Sequence, residues 1–162
     1  MISITAKWPP LMNHKGFNLL ELLVTVTIIG ILAMIAYPSY VGHTTKTRRA
    51  EAMSILLQDA GFMERYYTEN GCYRNRGTDR LCGTDDDTNP TLPFIRSPAE
   101  GSTIFYNITL DNAGTAATGT SFILTATPRT GTSQSNDGTL TIDNNGQHGW
   151  SKNPSGNKQS WQ

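Results

Sequence analysis

The chain has 162 residues with thirteen basic and thirteen acidic side chains, a formal net charge of zero. A balanced charge excludes a global basic field of the kind that draws a protein onto nucleic acid, and the length suits one compact domain once any membrane segment is set aside. Hydrophobic residues are 37% of the chain; an apolar run near the N-terminus takes a large share of them, so the remainder is unusually polar, as expected of a small head with short strands and long loops.

Residues 1–16 carry Lys7, His14 and Lys15 and no acid, the pattern of a cytoplasmic leader. From Phe17 to Tyr37 the chain is apolar apart from Asn18, Thr25, Thr27 and Glu21, long enough at about 1.5 Å per residue to cross about 30 Å of hydrocarbon. The spacing predicts a membrane-spanning helix over residues 17–40. The small-residue site that signal peptidase needs is absent after the run, so the span stays attached. Charge alone does not orient it, because Lys46, Arg48 and Arg49 flank its far end as Lys7 and Lys15 flank the near one.

Glu21 is the residue to explain, since an ionised carboxylate in mid-helix costs about 2.5–3.5 kcal/mol on insertion scales. Two readings stand. In the first turn of the helix the carboxylate would favour the positive end of the macrodipole for about 0.3–1 kcal/mol and need no partner. Alternatively, Lys15-Gly16 before Phe17 looks like a processing site, and a cut there would leave an α-amino group on Phe17 as a counter-charge.

Gly30 and Pro38 punctuate the span, and Pro38, which lacks an N–H and crowds the carbonyl of Met34, is expected to kink the helix rather than stop it. Helical pattern resumes over residues 41–70. Ala50, Met53, Leu57, Ala60 and Tyr67 trace a core-facing stripe, broadened by Ile55, Leu56, Phe62 and Tyr66, while Arg49, Glu51, Asp59, Glu64 and Arg65 are assigned to the wet side. Asn70-Gly71 supplies the stop. The expectation is one bent helix from Phe17 to about Tyr67, roughly 75 Å long.

From Gly71 to Ser102 the composition is that of a loop. Cys72 and Cys82 have no nearby His or further Cys to complete a tetrahedral metal site, so a disulfide is expected, contributing about 2.5–3 kcal/mol and implying an oxidising compartment outside the cytoplasmic membrane. Asp79, Asp85, Asp86 and Asp87 offer oxygens but lack the alternating spacing of a calcium loop, and are expected to be solvated without a metal. Three period-2 segments follow. Ile104, Tyr106, Ile108 and Leu110 alternate with polar or outward residues; so do Phe122, Leu124 and Ala126, and then Leu140 and Ile142. Turn signals at Asn112-Ala113-Gly114 and Asn144-Asn145-Gly146 leave no room for crossover helices, so the sheet is antiparallel, with residues 147–150 as a fourth strand. Trp150 and Trp161 are placed to pin the tail.

Gly16-Phe17-Asn18-Leu19-Leu20-Glu21 and the apolar run behind it resemble the class III signal and N-terminal helix of type IV pilins and pseudopilins. The resemblance is specific but covers only about residues 15–40. It implies cleavage after Gly16 by a prepilin peptidase, N-methylation of Phe17, and a Glu21 carboxylate that meets the Phe17 amine of a neighbouring subunit during assembly on an inner-membrane platform. Met12-Asn13-His14-Lys15-Gly16 alone would match a short leader of this family, which makes Met12 an alternative start. Weaker likenesses, Glu64-Arg65-Tyr66-Tyr67, Thr125-Ala126-Thr127-Pro128 and Asp137-Gly138-Thr139-Leu140-Thr141-Ile142-Asp143, are similar to the PilE-like minor pilins of type IVa pili. Those heads commonly carry a cysteine pair in the C-terminal region, and this chain has none there.

The implied fold is an α+β pilin: a leader over 1–16, a transmembrane and filament-core helix over 17–40, an amphipathic half over 41–70, and a head over 71–162 with a sheet of three or four antiparallel strands. The implied function is that of a pilus subunit, without cofactor, held in the inner membrane with its head in the periplasm and later exposed on the cell surface, supporting twitching, adhesion or DNA uptake. A pseudopilin of a type II secretion system is the alternative. An enzyme is not expected: no nucleophile elbow, phosphate loop or HExxH is present, and His43 and His148 are isolated. Arg74, Arg76, Arg80 and Arg96 are the residues with which a head would touch phosphates, but the neighbouring aspartates offset their charge.

Overall fold

The computed structural model of the protein describes residues 18–84, 86–111, 119–152 and 161. The leader, Gly16 and Phe17, Asp85, the Asn112-Ala113-Gly114 turn and most of the tail lie outside the described residues. The chain separates into two compact units, Met1–Tyr40 and Val41–Gln162.

One helix, α1 (Leu19–Asn70), passes through both. It begins where Asn18 stands at the N-cap: the Leu22 N–H donates to the Asn18 carbonyl at 3.1 Å, and the Asn18 side-chain oxygen faces the Leu20 N–H at 3.4 Å. In the first unit the polar side chains of the apolar run are satisfied within the helix. Thr27 donates to the Leu23 carbonyl at 2.8 Å, and Thr25 to the carbonyls of Glu21 and Leu22; in hydrocarbon such i−4 bonds spare a hydroxyl its desolvation cost. Gly30 and Pro38 both lie inside the helix. It ends at Gly71, whose φ of 69° and N–H bond to the Tyr67 carbonyl (2.6 Å) form a left-handed cap.

The head packs the rest of α1 against a five-stranded antiparallel meander, β1 (Arg96–Ser97), β2 (Tyr106–Asp111), β3 (Ile123–Pro128), β4 (Leu140–Asp143) and β5 (His148–Trp150), in that spatial order. Register follows the pleat: Ile108 pairs with Ala126, and Leu124 with Ile142, so the buried residues share one face. The other face carries Thr109, Thr125 and Thr141 side by side. The strand count exceeds the expected three or four by β1, whose two residues are too few to show a period.

The helical stripe differs from expectation. The residues of α1 that are buried are Ala52, Ile55, Leu56, Asp59 and Met63, whereas Leu57 and Tyr67 are exposed. Ile55 and Leu56 of the expected stripe are buried and Met53, Ala60 and Phe62 pack against the core, so the stripe is right in part; its centre moves onto Ala52, Asp59 and Met63, a line that contains an acid and so reads as polar.

Candidate functional sites in the N-terminal motif and the head

Glu21 lies in the first turn of α1, three residues after the cap, where a carboxylate favours the helix dipole. Its suggested partner, the Phe17 amine, belongs to the undescribed residues.

In the head, the loop after α1 is built around the Cys72–Cys82 disulfide, whose Cα atoms are 6.1 Å apart. The bridge rests against Gly119: a Cβ there would fall 2.3 Å from the Cys82 sulfur and 2.6 Å from that of Cys72, and the Tyr73 N–H donates to the Gly119 carbonyl at 2.9 Å. The disulfide therefore joins the helix end to the start of β3 as well as closing its own loop. Asp87 lies near the two sulfurs, but sulfurs bonded to each other do not ligate a metal.

The loop aspartates are occupied rather than merely solvated. Asp86 accepts from the Thr78 N–H at 2.6 Å and from the hydroxyls of Thr78 and Thr84; Asp87, which is buried, accepts from the N–H groups of Gly83 (2.6 Å), Gly77 and Thr84. These bonds hold both carboxyls below the usual carboxylate range, the Thr84 hydroxyl acting most strongly on Asp86 and the Gly83 N–H on Asp87. Oxygens aimed at N–H donors staple the loop and are poorly placed for a cation.

The four arginines do not form one patch. Arg74 and Arg76 donate to the carbonyls of Asp87 and Asn70, Arg80 has a left-handed φ of 59°, and Arg96 stands apart in β1, donating to the Ala99 carbonyl.

Sequence reasoning missed two carboxylates. Asp137 is buried between Arg49, whose guanidinium engages both its oxygens, and the Tyr106 hydroxyl; Arg49 also lies 3.7 Å over the Trp150 ring, and Gln134 donates to the Tyr106 oxygen and to the Thr45 carbonyl. Burial opposes ionisation of Asp137, but the Arg49 and Tyr106 hydrogen bonds prevail and hold it low. Asp59 is the opposite case. It is 0% exposed, one oxygen accepts the Phe94 N–H at 3.2 Å, the other has no partner among the described residues, and burial pushes its carboxyl up to about 6. A buried acid among Ile55, Leu56 and Met63 gives no signal in sequence, since it reads as an ordinary polar break in the stripe.

A shallow depression of about 230 Å³ brings Asp143 and His148 to one wall. Both are engaged in the β4–β5 turn: Asp143 accepts the N–H groups of Asn145 and Gln147 at 2.9 and 2.8 Å, and His148 Nδ1 is 3.1 Å from the Gly146 carbonyl. Neither is poised as a general base. His43 lies exposed on α1.

A long N-terminal helix with an apolar first part, a disulfide-closed loop and an antiparallel meander packed on the helix define a type IV pilin. The chain belongs to the family described as type IV minor pilin ComP, DNA uptake sequence receptor, whose profile matches residues 38–141, and residues 11–37 match the prokaryotic N-terminal methylation motif. It is similar to the fimbrial protein EcpC of Eikenella corrodens, 37% identical over 60 residues that cover 37% of this chain and 39% of that protein. It is also similar to the type II secretion system core protein G of Escherichia coli, 32% identical over 83 residues, 50% of this chain and 54% of the other. These matches thus span about two fifths to one half of the relatives' length. Among solved structures, the non-core minor pilin PilV of Neisseria meningitidis aligns with a TM-score of 0.44 and 21% identity, covering 69% of this chain and 91% of that one.

Proposed function

We propose that the protein is a minor subunit of a type IV pilus. A prepilin peptidase cuts after Gly16, the new Phe17 amine is methylated, residues 17–40 hold the subunit in the inner membrane with the head in the periplasm, and an assembly platform then moves it into the fibre. The observation that carries this reading is the methylation motif over residues 11–37 joined to a helix whose first turn presents Glu21. In a low-dielectric fibre core Glu21 would compensate the Phe17 amine of a neighbour, and removing one partner of such a pair costs about 3–5 kcal/mol. A strain lacking the protein is expected to lose surface pili or twitching while exoprotein secretion continues; loss of secretion with pili intact would assign the subunit to a secretion pseudopilus instead.

The family description favours a finer role, recognition of duplex DNA by the head, with Arg76 and Arg80, both exposed in the disulfide-closed loop region, as phosphate contacts. In a gel-shift assay Arg80→Ala is expected to weaken duplex binding for all sequences alike and to reduce the salt dependence. Unchanged binding would remove this loop from the role.

A further inference from the structure

The basic residues that follow the apolar run are left unexplained by pilus assembly. Within the head they gather with others at one pole, the one where the head's share of α1 begins. Arg48 donates to Ser133 at 2.6 Å and lies 3.9 Å over the Phe105 ring, Arg129 follows β3 with its N–H on the Phe105 carbonyl, and Lys152 donates to the Asn136 carbonyl. Lys46, Arg129 and Lys152 are exposed there. The acids at this pole are Glu51, Glu100 and Asp137, and Asp137 is neutralised by Arg49. At the opposite pole, where β2 and β4 end, Asp79, Asp86, Asp87, Asp111 and Asp143 outnumber the arginines of the loop. A chain of zero net charge is thus divided into a basic pole and an acidic one.

We propose that this basic pole docks on the phosphates of anionic phospholipids in the leaflet that faces the head. The reading rests on membrane anchoring by α1 and not on the fate of the subunit afterwards. Chain continuity supplies the proximity: Lys46 and Arg48 stand within eight residues of Tyr40, about 12 Å of helix at about 1.5 Å per residue. Charge complementarity supplies the attraction, about fivefold in occupancy for each Lys or Arg held near an anionic surface and fading within a Debye length of about 8 Å at physiological salt. The acidic pole is repelled by the same surface, so the two ends together set one orientation. Exposed Thr130 and Ser133 add hydroxyl donors for phosphate oxygens beside the cations.

The test uses the full chain in lipid nanodiscs, either of phosphatidylcholine alone or with one third phosphatidylglycerol, and reads amide hydrogen exchange of the Arg129–Asp137 loop. Exchange in the anionic discs is expected to slow by about fivefold or more, to return to the neutral-disc rate at about 1 M salt, where screening falls to about 3 Å, and to do the same in the Lys46→Gln, Arg129→Gln, Lys152→Gln triple variant. That variant leaves Arg48 and Arg49, which hold the fold, in place, and, because Lys152 donates to the Asn136 carbonyl, exchange is compared between neutral and anionic discs of the same variant. Equal exchange in the two discs, or slowing that the triple variant retains, overturns the proposal. Slowing on adding duplex DNA to neutral discs, with none from anionic lipid, also overturns it and makes the pole a nucleic-acid surface. A chain that does not enter discs at all refutes membrane anchoring itself.

Discussion

Asp59→Asn should stabilise the head at neutral pH, by an amount that depends on pH in a predictable direction. The carboxyl of Asp59 is raised from 3.8 to about 6 by burial, against one hydrogen bond from Phe94. Because the folded-state value lies above the unfolded one, the folded head prefers the protonated form. The stability this confers is fully present below about pH 3.8 and is lost as pH rises through about 6. Two units at about 1.36 kcal/mol each give a loss of about 3 kcal/mol, of which about 2 kcal/mol falls between pH 4 and pH 6.5. Asparagine keeps the acceptor for Phe94 but buries an amide donor where the aspartate has an unpartnered oxygen, at about 1–2 kcal/mol independent of pH. The variant is therefore expected to be close to wild type or slightly weaker at pH 4 and more stable by about 1–2 kcal/mol at pH 7.5. Urea denaturation of the detergent-solubilised protein, followed by tryptophan fluorescence, measures the difference at each pH. Taking the difference cancels Asp86, Asp87 and Asp137, whose lowered values act in the opposite direction and lose stability only in acid. A constant offset between the two proteins from pH 4 to 7.5 would refute the reasoning.

Gly119→Ala should destabilise the head by about 1–3 kcal/mol, because the residue has φ of 57° and the added methyl meets both disulfide sulfurs; thermal denaturation measures this, and the loss should shrink when the bridge is reduced. Cys72→Ser should cost about 2.7 kcal/mol by loop entropy for a bridge across ten residues, and alkylation of the non-reduced wild type followed by mass spectrometry should find no free thiol. Arg49→Met should cost about 3–5 kcal/mol, since it leaves the Asp137 carboxylate buried without its cation, and Asp137→Asn in the same chain should restore part of the loss in the same urea assay. Glu21→Gln should leave removal of residues 1–16 unchanged while depleting the protein from sheared pili, a fraction read by immunoblot; wild-type recovery in the pili would return Glu21 to a helix-end role.

The parts of this fold that were legible in sequence are those written in a local period. Tyr106 and Ile108, Leu124 and Ala126, and Leu140 and Ile142 announce strands by alternation, and the apolar run and Gly71 announce the two ends of α1. The core face of the helix in the head was legible in part, through Ile55, Leu56, Met53, Ala60 and Phe62, but its centre was not, because Leu57 is apolar yet exposed while Asp59 is acidic yet buried. The pairing of Arg49 with Asp137 joins residues 88 positions apart and belongs to no motif. Nor could the roles of Asp86 and Asp87 be read, since what distinguishes a stapled aspartate from a solvated one is the path of the backbone that brings N–H groups to it.

The C-terminal half of the head contains no cysteine, and long-range contacts do the fastening there. A disulfide there would hold the C-terminal segments by removing entropy from the unfolded chain. Here the β3–β4 connection is held instead by Asp137, which carries the Arg49 ion pair and the Tyr106 hydroxyl on its side chain and accepts the Trp150 indole N–H on its carbonyl. Trp161 is seated on the sheet as well: its indole N–H donates to the Thr141 carbonyl at 3.1 Å and its ring lies 4.6 Å from that of His148. The two kinds of fastening respond to different conditions. Reduction should loosen only the loop around Cys72 and Cys82 and its seat on Gly119, whereas the C-terminal half, fastened by a carboxylate held below its usual range, should loosen as acid protonates Asp137. A thiol reductant at pH 7 and an acid titration in the absence of reductant are thus expected to release hydrogen-exchange protection in different halves of the head, and release of both halves by reductant alone would show that the Asp137 contacts depend on the bridge.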